Sequence, residues 1–245
     1  MKKITLVTFA LICMSNLFGQ LEGKISYTET IKMDIQIEGL DDSMLDMIPK
    51  SQDLKKQLYF NSAESLYKNK KGESLDDTEM ESDDGNIKIV IMTDDTEDIL
   101  YINHKEKHQV HQRGLFGKSF VVEYPIQRSK WKLTNEKIKY LDYECQKATL
   151  ENDSLFVVAW FTTQIPAQIG PAGYFGLPGA ILMISQNDGE LEIKASKVEL
   201  MALDEEAIEI PDEGKKVTEI EFDIIRKEKE AEMVERFSRG RSSHR

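Results

Sequence analysis

The segment TQIPAQIGPAGYFGLPGAIL, residues 163–182, differs in composition from the sequence around it. It contains Pro166, Pro171 and Pro178, half of the six prolines in the chain, together with four glycines. Proline fixes φ and removes a backbone donor, whereas glycine can adopt positive φ, so the segment cannot join a central strand and has few conformations to choose from. The pattern predicts a stiff, ordered loop between two strands.

Short runs of alternating apolar residues lie on both sides of this loop and predict a mainly β protein. A change of parity between Ala195 and Val198 predicts a β-bulge near Ser196. Together the runs predict a curved antiparallel sheet or half-barrel around one core. Strands are expected at 23–38, in a hairpin over 55–70, and at 87–92, 99–103, 109–113, 119–124, 130–133, 143–150, 155–162, 181–186 and 190–200.

The first twenty residues have the form of a secretory signal peptide. Lys2 and Lys3 precede an apolar run from Ile4 to Met14, and a short segment that ends at Gly19 follows. The apolar run is shorter than the ~20 residues that a transmembrane helix requires, and no later segment reaches that length. We therefore expect cleavage near Gly19 and an exported protein, either periplasmic or secreted.

Three further segments interrupt the strand pattern. Residues 40–50 predict a short helix or lid. Residues 73–86 are polar and acidic and predict a solvated loop; a calcium loop is the alternative, but its spaced ligand order is missing. Thr218 and Glu221 fit a capping box and predict a C-terminal helix followed by a basic tail. The chain thus divides into a signal peptide (1–19), an antiparallel β domain (20–212) that contains the loop (166–179), and a C-terminal helix with a basic tail (213–245).

The charge and cysteine content exclude several classes of protein. The formal net charge is −12, and loss of the two leader lysines leaves 30 basic against 44 acidic residues, a charge of −14. Such a chain repels phosphate backbones, so nucleic acid is not an expected partner. Cys145 is the only cysteine after cleavage, so no internal disulfide is expected. With no histidine close in sequence, Cys145 is expected to be a buried structural thiol rather than a nucleophile.

Three histidines, His104, His108 and His111, lie within eight residues of one another. On a helix they would share a face and could bind zinc or copper. The apolar run ILYIN before them and their polar surroundings instead favour strand, turn, strand, in which His104 and His111 could approach each other across a hairpin. A solvated turn is the expectation, and a metal site formed by these three residues is the alternative.

The Pro/Gly-rich loop has two interpretations that do not exclude each other. In the structural one, its apolar residues fold over an open end of the sheet, where burial stabilises by roughly 1.5–3 kcal/mol per side chain. In the functional one, the ordered loop presents backbone N–H groups or aromatic edges to a ligand at little entropic cost. The residues expected to form the binding surface are Trp160, Tyr174, Phe175, Gly176, Leu177, Pro178 and Gly179.

Several motifs occur in a fixed order around this loop: WKL at 131–133, IKYLDYECQKA at 138–148, AWFTTQIP at 159–166, Gly170-Pro171, and FGLPG at 175–179. Their order and spacing resemble the GLPGLI family of exported Bacteroidetes proteins. The chain departs from the family at Ala180, where leucine is usual, and at Leu141-Asp142, where glycine is frequent. The resemblance implies a secreted or envelope location and no established activity. The strand pattern is also compatible with half-barrels of the lipoprotein-carrier (LolA) type, an analogy of fold alone.

Motifs of catalysis are absent from the sequence. There is no nucleophile elbow, no phosphate-binding glycine loop and no H-E-x-x-H pair. We therefore expect a non-enzymatic ligand-binding or cell-envelope interaction protein without a cofactor, whose partner is a small apolar ligand, a peptide or an envelope protein. The alternative is a periplasmic metal-dependent or hydrolytic enzyme that uses the histidine cluster.

Overall fold

A computed structural model describes residues 21–33, 49–71, 78–81, 88–91, 97–127, 129–152 and 155–242. The predicted signal peptide lies outside these ranges, as do most of the predicted lid at 40–50, most of the acidic segment 73–86 and the end of the basic tail.

Within these ranges the chain forms fourteen strands and one long helix, so the prediction of a mainly β fold with a C-terminal helix is confirmed. The helix, α1, spans Glu219–Ser242. The strands are β1 (Gly23–Lys32), β2 (Ser51–Phe60), β3 (Glu64–Asn69), β4 (Thr78–Glu81), β5 (Lys88–Ile91), β6 (Ile99–Asn103), β7 (His108–Leu115), β8 (Lys118–Pro125), β9 (Lys132–Tyr140), β10 (Tyr143–Asn152), β11 (Leu155–Thr162), β12 (Ala180–Gln186), β13 (Leu191–Leu200) and β14 (Lys215–Val217).

Twelve of the described strands form one sheet in the order β14, β8, β7, β6, β3, β2, β1, β13, β12, β11, β10, β9. Strands β4 and β5 form a separate hairpin. Neighbouring strands are antiparallel except at one edge, where β14 runs parallel to β8. The two edge strands, β14 and β9, do not pair with each other, so the described sheet is open rather than a closed barrel.

Two local features of the sheet follow directly from sequence. At the β2–β3 turn, the Oδ1 atom of Asn61 accepts hydrogen bonds from the backbone N–H groups of Ala63 and Glu64, both at 2.8 Å. This is the way asparagine stabilises a turn, and it explains why the hairpin reverses where Asn61-Ser62 predicted it.

The second feature is the β-bulge between β1 and β13. Ser26 faces Lys197 and the next residue, Tyr27, faces Ala195, so Ser196 is the extra residue of the bulge. Its hydroxyl donates to the carbonyl of Ser26 at 3.2 Å. The bulge predicted from the change of parity is therefore confirmed.

One face of the sheet carries the main core. Along β1, the buried Ile25 and Tyr27 alternate with polar residues, as a strand with one buried face requires. Residues 165–177 of the connection between β11 and β12 supply side chains to the same cluster. The cluster includes Leu58, Phe60, Tyr67, Leu100, Ile102, Val157, Ala159, Phe161, Ile165, Ile169, Phe175, Leu177, Ile184 and Ile193.

The sheet curves around this connection. A short 3-10 turn within it, Pro171–Gly173, contacts β3 and β6 although the chain leaves β11 and returns to β12. In a flat sheet, β6 and β12 would lie about 24 Å apart, given a strand spacing of about 4.8 Å. Gly173 adjoins Leu100 on β6, whereas the hydroxyl of the next residue, Tyr174, donates to Gln186 on β12 at 3.0 Å. Two consecutive residues reach both strands because the sheet is concave on this face.

The two faces are covered differently at the β8 end. On the second face, Ile208 from the connection between β13 and β14 packs on Leu66, Tyr101, Val110 and Val121. This second cluster extends the core beyond the reach of the Pro/Gly-rich loop.

Helix α1 covers the first face at the β8 end. The Phe222 ring packs against Phe120, with ring centroids 5.6 Å apart at 74°. The predicted capping box is present, since the Thr218 N–H donates to Glu221 Oε2 at 2.8 Å and the Glu221 N–H donates to Thr218 Oγ1 at 3.2 Å. Among the described helical residues, no stretch is both long and apolar enough to cross a membrane.

Three strands differ from their predictions. β14 lies within the range predicted to hold the helix and tail, because three residues are too few to show a period. β4 lies within the predicted acidic loop. β9 runs to Tyr140, whereas a strand was expected only at 130–133, because most of its side chains are exposed on both faces and no alternation marks it.

Candidate functional site

The Pro/Gly loop, residues 166–179, crosses the concave face and turns back onto the strand that follows it. The backbone N–H of Ala180 donates to the carbonyl of Ile165 at 3.0 Å, and that of Ile181 donates to the carbonyl of Ile169 at 2.9 Å. Because Ile165 and Ile169 are themselves buried, the loop is fixed by both backbone bonds and side-chain packing.

Glycine permits this close path at two positions. A Cβ at Gly179 would overlap the carbonyl oxygen of Thr162, and a Cβ at Gly170 would overlap the carbonyl oxygen of Tyr174 and lie 2.9 Å from the Cβ of Ile181. Glycine is therefore required at these two positions by backbone proximity rather than by a positive φ.

The residues predicted to form a binding surface divide into buried and exposed groups. Phe175 and Leu177 are 8 % and 1 % exposed and belong to the main core. Gly179 is also buried, whereas Gly176 and Pro178 are exposed. The remaining two residues, Trp160 and Tyr174, are partly exposed at the margin of the core. The loop thus contributes its large side chains mainly to the core, and the exposed residues of the predicted surface are Gly176 and Pro178.

Trp131 holds the loop from outside. Its Nε1–H donates to the carbonyl of Phe175 at 2.9 Å, and its ring lies 6.2 Å from that of Tyr174. The Tyr174 hydroxyl in turn donates to Gln186 Oε1 at 3.0 Å, and burial raises the pKa of this phenol. Sequence reasoning placed Trp131 in a motif without a role, and the structure shows that it anchors the loop.

His104 is the point where the loop meets the β6–β7 turn. Its ring packs edge-on against Phe175, with centroids 5.5 Å apart, and its Nε2 lies 3.0 Å from the hydroxyl of Ser65. Burial lowers the pKa of His104. The Nδ1 atom has no hydrogen-bond partner among the described residues, where every buried side-chain nitrogen and oxygen has one. Nδ1 is therefore not fully buried.

Two clefts adjoin His104, and we refer to them as the His104 clefts. The larger, of about 500 Å³, separates the loop from the β2–β3 turn and from Leu21, which precedes β1. The smaller, of about 250 Å³, lies between the loop and the β6–β7 turn. His104 and Gln168 line both. The other lining residues are Leu21, Asn61, Ser62, Ala63, Lys105, Pro166, Ala167 and Ile169 in the larger cleft, and Lys107, Ile126 and Phe175 in the smaller.

The other two histidines do not converge with His104. His108 is paired with Asn103 and lies 3.7 Å from Glu106, and His111 is paired with Leu100. Separated by three positions on one strand, His108 and His111 lie on opposite faces of the sheet. The described residues contain no group of three or more histidine, cysteine, aspartate or glutamate side chains that could hold a metal ion.

Both ring nitrogens of His111 already have partners. Nε2 lies 2.7 Å from Asp98 Oδ1, and Nδ1 accepts a hydrogen bond from Arg113 Nε at 2.9 Å. Because the Arg113 N–H can only donate, Nδ1 is the acceptor and Nε2 carries the proton given to Asp98. In this arrangement His111 has no lone pair left for a metal ion or for a substrate proton.

An ion pair between a buried lysine and a half-exposed aspartate adjoins His111. The Lys56 side chain is 4 % exposed, and its Nζ lies 3.0 Å from Asp98 Oδ2. Burial acts to raise the pKa of Asp98, but the hydrogen bond with His111 and the charge of Lys56 outweigh it and hold this pKa well below its ordinary value. Sequence reasoning missed this pair, although Lys56 shares the strand parity of the buried Leu58 and Phe60.

Glu29 extends this polar network along the same face. Its Oε2 accepts a hydrogen bond from the Tyr67 hydroxyl at 3.0 Å. Burial raises the pKa of Glu29, while the nearby Lys56 acts to lower it. Lys56, the buried cation of this network, is paired with Asp98, so removal of Asp98 would leave a buried charge uncompensated.

Cys145 is a buried free thiol on β10, as predicted from its isolation in the sequence. Burial raises the pKa of this thiol to about 11. Its Sγ lies 3.9 Å from the carbonyl of Tyr143. A thiol of this pKa stays protonated near neutral pH and is not an activated nucleophile.

Comparisons with known proteins support the fold and locate the most recognisable segment. Residues 150–183, which span the end of β10, β11, the Pro/Gly loop and the start of β12, match the model of a family described as "Protein of unknown function (Porph_ging)". Comparison with curated proteins gives no match.

Two solved structures of PNGF-II share the fold. One, in space group P21, superposes with a TM-score of 0.54 at 15% sequence identity and covers 84% of this chain and 33% of that one. The other, in space group C2, gives a TM-score of 0.55 at 17% identity and covers 84% and 32%. The chain therefore spans about a third of the length of the PNGF-II chains, and it has the β architecture of one portion of them.

Proposed function

We propose that this chain is an exported, non-enzymatic binding protein of the GLPGLI family that binds its ligand in the His104 clefts. The proposal depends mainly on one observation: two clefts, of about 500 and 250 Å³, meet at the same pair of side chains, His104 and Gln168. Ligand sites in proteins have volumes of about 300–1,000 Å³, so the two clefts together suit a small molecule or a short extended peptide.

Both walls of the His104 clefts are held in place without a ligand. Trp131 and the bonds to β12 fix the loop wall. In the β6–β7 turn, Asn103 Oδ1 accepts hydrogen bonds from the N–H groups of Lys105 and Glu106 at 3.1 and 2.8 Å. A preformed site loses little conformational entropy when it is occupied, which favours binding.

The lining supports a ligand that has an apolar part and a neutral or acidic group. About half of the lining residues are apolar: Leu21, Ala63, Ile126, Pro166, Ala167, Ile169 and Phe175. The ionisable residues among the described lining are His104, Lys105 and Lys107, and none is a carboxylate, in a chain whose formal charge is −12. Short peptides with a free carboxyl terminus belong to this class of ligand.

Export is part of the proposal. Cleavage near Gly19 would place Leu21, which lines the larger cleft, close to the new amino terminus, so the mature chain is the form to test. Amino-terminal sequencing of the protein recovered from periplasmic and culture fractions should begin at Gln20. An intact Met1 in those fractions would contradict processing at this site.

The binding proposal is tested by native mass spectrometry of the mature protein purified gently from the envelope of its host. Ala167→Trp fills the rim of the larger cleft, whereas Ala202→Trp adds the same ring to the exposed connection after β13. We expect a bound small molecule on the wild type and on Ala202→Trp, and its loss from Ala167→Trp at an unchanged unfolding midpoint. A wild type without a bound molecule, or retention by Ala167→Trp, would overturn the proposal.

A further inference from the structure

A third cleft, of about 700 Å³, lies away from His104 where the tip of the β7–β8 hairpin approaches helix α1; we refer to it as the hairpin–helix cleft. Leu115, Phe120 and Ile225 provide its apolar lining. These residues belong to the cluster that docks the helix on β8, so the cleft is continuous with a packed apolar surface. Its volume is that of a site for a small molecule.

Phe116, which lines this cleft, is an unusual residue for its position in a turn. Phe116 and Gly117 form a two-residue turn with φ of 51° and 70°, a position where asparagine, aspartate or glycine is the usual first residue. A bulky residue at positive φ is strained, and this phenylalanine is also 46 % exposed. The exposed Phe116 ring lines the cleft, so it is free to contact a molecule bound there.

The charge of the hairpin–helix cleft is opposite to that of the whole chain. Lys118 from β8, Lys215 from β14 and Lys229 from α1 line it, and Glu232 is the one carboxylate among its described lining residues. Glu232 is engaged locally, because its Oε2 accepts a hydrogen bond from Lys229 Nζ at 2.6 Å. Because Lys229 and Glu232 compensate each other, Lys118 and Lys215 give the cavity a net positive lining in an acidic protein, which concentrates anions there.

We propose that the hairpin–helix cleft binds a small amphiphilic anion. Its acyl chain or aryl group packs against Phe116, Phe120 and Ile225, and its carboxylate or sulfonate lies beside Lys118 and Lys215. The occupant is a single molecule rather than a membrane surface, because Leu115, Phe120 and Ile225 are buried or half-buried and Phe116 is the one exposed apolar residue of the described lining.

Two fluorescent probes with one aromatic skeleton test this site: 8-anilinonaphthalene-1-sulfonate and its uncharged analogue N-phenyl-1-naphthylamine. Phe116→Asn should raise the Kd of both probes by about tenfold, because the ring that covers them is lost. Replacing Lys118 and Lys215 with glutamine should raise the Kd of the sulfonate alone by about fivefold, since these exposed charges contribute modestly. Asparagine tolerates positive φ, so Phe116→Asn should fold, and its urea unfolding midpoint verifies this.

Leu141→Asn is the matched control. Leu141 is also an exposed apolar turn residue, 37 % exposed with φ of 47°, but it joins β9 to β10 and does not line the cleft. Leu141→Asn should bind the probes like the wild type.

Equal loss in Leu141→Asn, unchanged binding in Phe116→Asn, or an equal response of both probes to the lysine changes would overturn the proposal. Co-sedimentation with phosphatidylglycerol vesicles that depends on Lys118 and Lys215 would assign the lysines to a membrane surface instead. No sedimentation, together with displacement of the sulfonate probe by decanoate, is the result expected for a site that takes single molecules.

Discussion

Replacing Leu177 with alanine tests whether the Pro/Gly loop is part of the core. Leu177 is 1 % exposed and lies in the same cluster as Phe175 and Ile181. Removing its buried carbons loses about 2.4 kcal/mol of transfer free energy, at about 0.8 kcal/mol per methylene. The bonds from Ala180 and Ile181 back to the loop restrict its collapse, so a cavity penalty adds to this, and we expect a loss of about 3–4 kcal/mol.

The assay for Leu177→Ala is urea unfolding followed by tryptophan fluorescence, because Trp131 is bonded to the loop. Pro178→Ala is the matched control in the next residue, which is exposed, and should cost no more than about 1 kcal/mol. Amide exchange at Ala180 and Ile181 should accelerate in Leu177→Ala only. A loss below about 1 kcal/mol, or equal losses in both variants, would refute the assignment of the loop to the core.

Two pairs of substitutions probe the loop and the polar network around Lys56. Gly179→Ala should destabilise the protein by more than about 3 kcal/mol, because its Cβ would overlap a backbone carbonyl that cannot move aside. Gly176→Ala meets no atom within 4 Å and should cost only about 1 kcal/mol, which is the cost of its positive φ. The urea unfolding midpoints of the two variants test this difference. Glu29 and Asp98 should affect the pH dependence of stability in opposite senses. The stability that Asp98 contributes is present above its ordinary pKa of 3.8 and is lost as the pH falls below it, so Asp98→Asn should destabilise at pH 7 and flatten the acid limb. The raised pKa of Glu29 makes stability fall as the pH rises above 4.5, so Glu29→Gln should stabilise at pH 7 and have little effect at pH 4; a destabilised Glu29→Gln at pH 7 would contradict the assigned direction.

The features of the fold that sequence predicted are those in which one side of a strand is buried. β6 and β11 were predicted with their observed bounds, and the bulge at Ser196 followed from a change of parity, because burial on one face imposes a period of two. β9 and β14 lacked that signal, since one is exposed on both faces and the other is three residues long. Strand order was not predicted, because pairing β1 with β13 joins residues far apart in sequence.

For the site, sequence identified the right segments but not their exposure. Conformational restriction by proline and glycine is a local property, so the loop could be recognised from composition. Whether Phe175 and Leu177 face a ligand or the core depends on how the sheet curves, which no local pattern reports. The meeting of His104 with Phe175 is likewise a tertiary contact between segments seventy residues apart. The buried Lys56 is the one tertiary feature that sequence could have revealed, since it lies on the same face of β2 as the apolar Leu58 and Phe60.

The burial of the loop also restricts how this protein can bind a ligand. Ile165, Ile169, Phe175 and Leu177 together account for about 6–12 kcal/mol of apolar burial on the concave face, at about 1.5–3 kcal/mol each. A ligand that displaced the loop from that face would have to offset this burial energy, which is comparable to the whole free energy of micromolar binding, about 8 kcal/mol. Binding inside the curved sheet, as in an open half-barrel, is therefore disfavoured here. Sites beside the loop avoid the cost of displacing it, and the His104 clefts lie at that position with the loop as one of their walls.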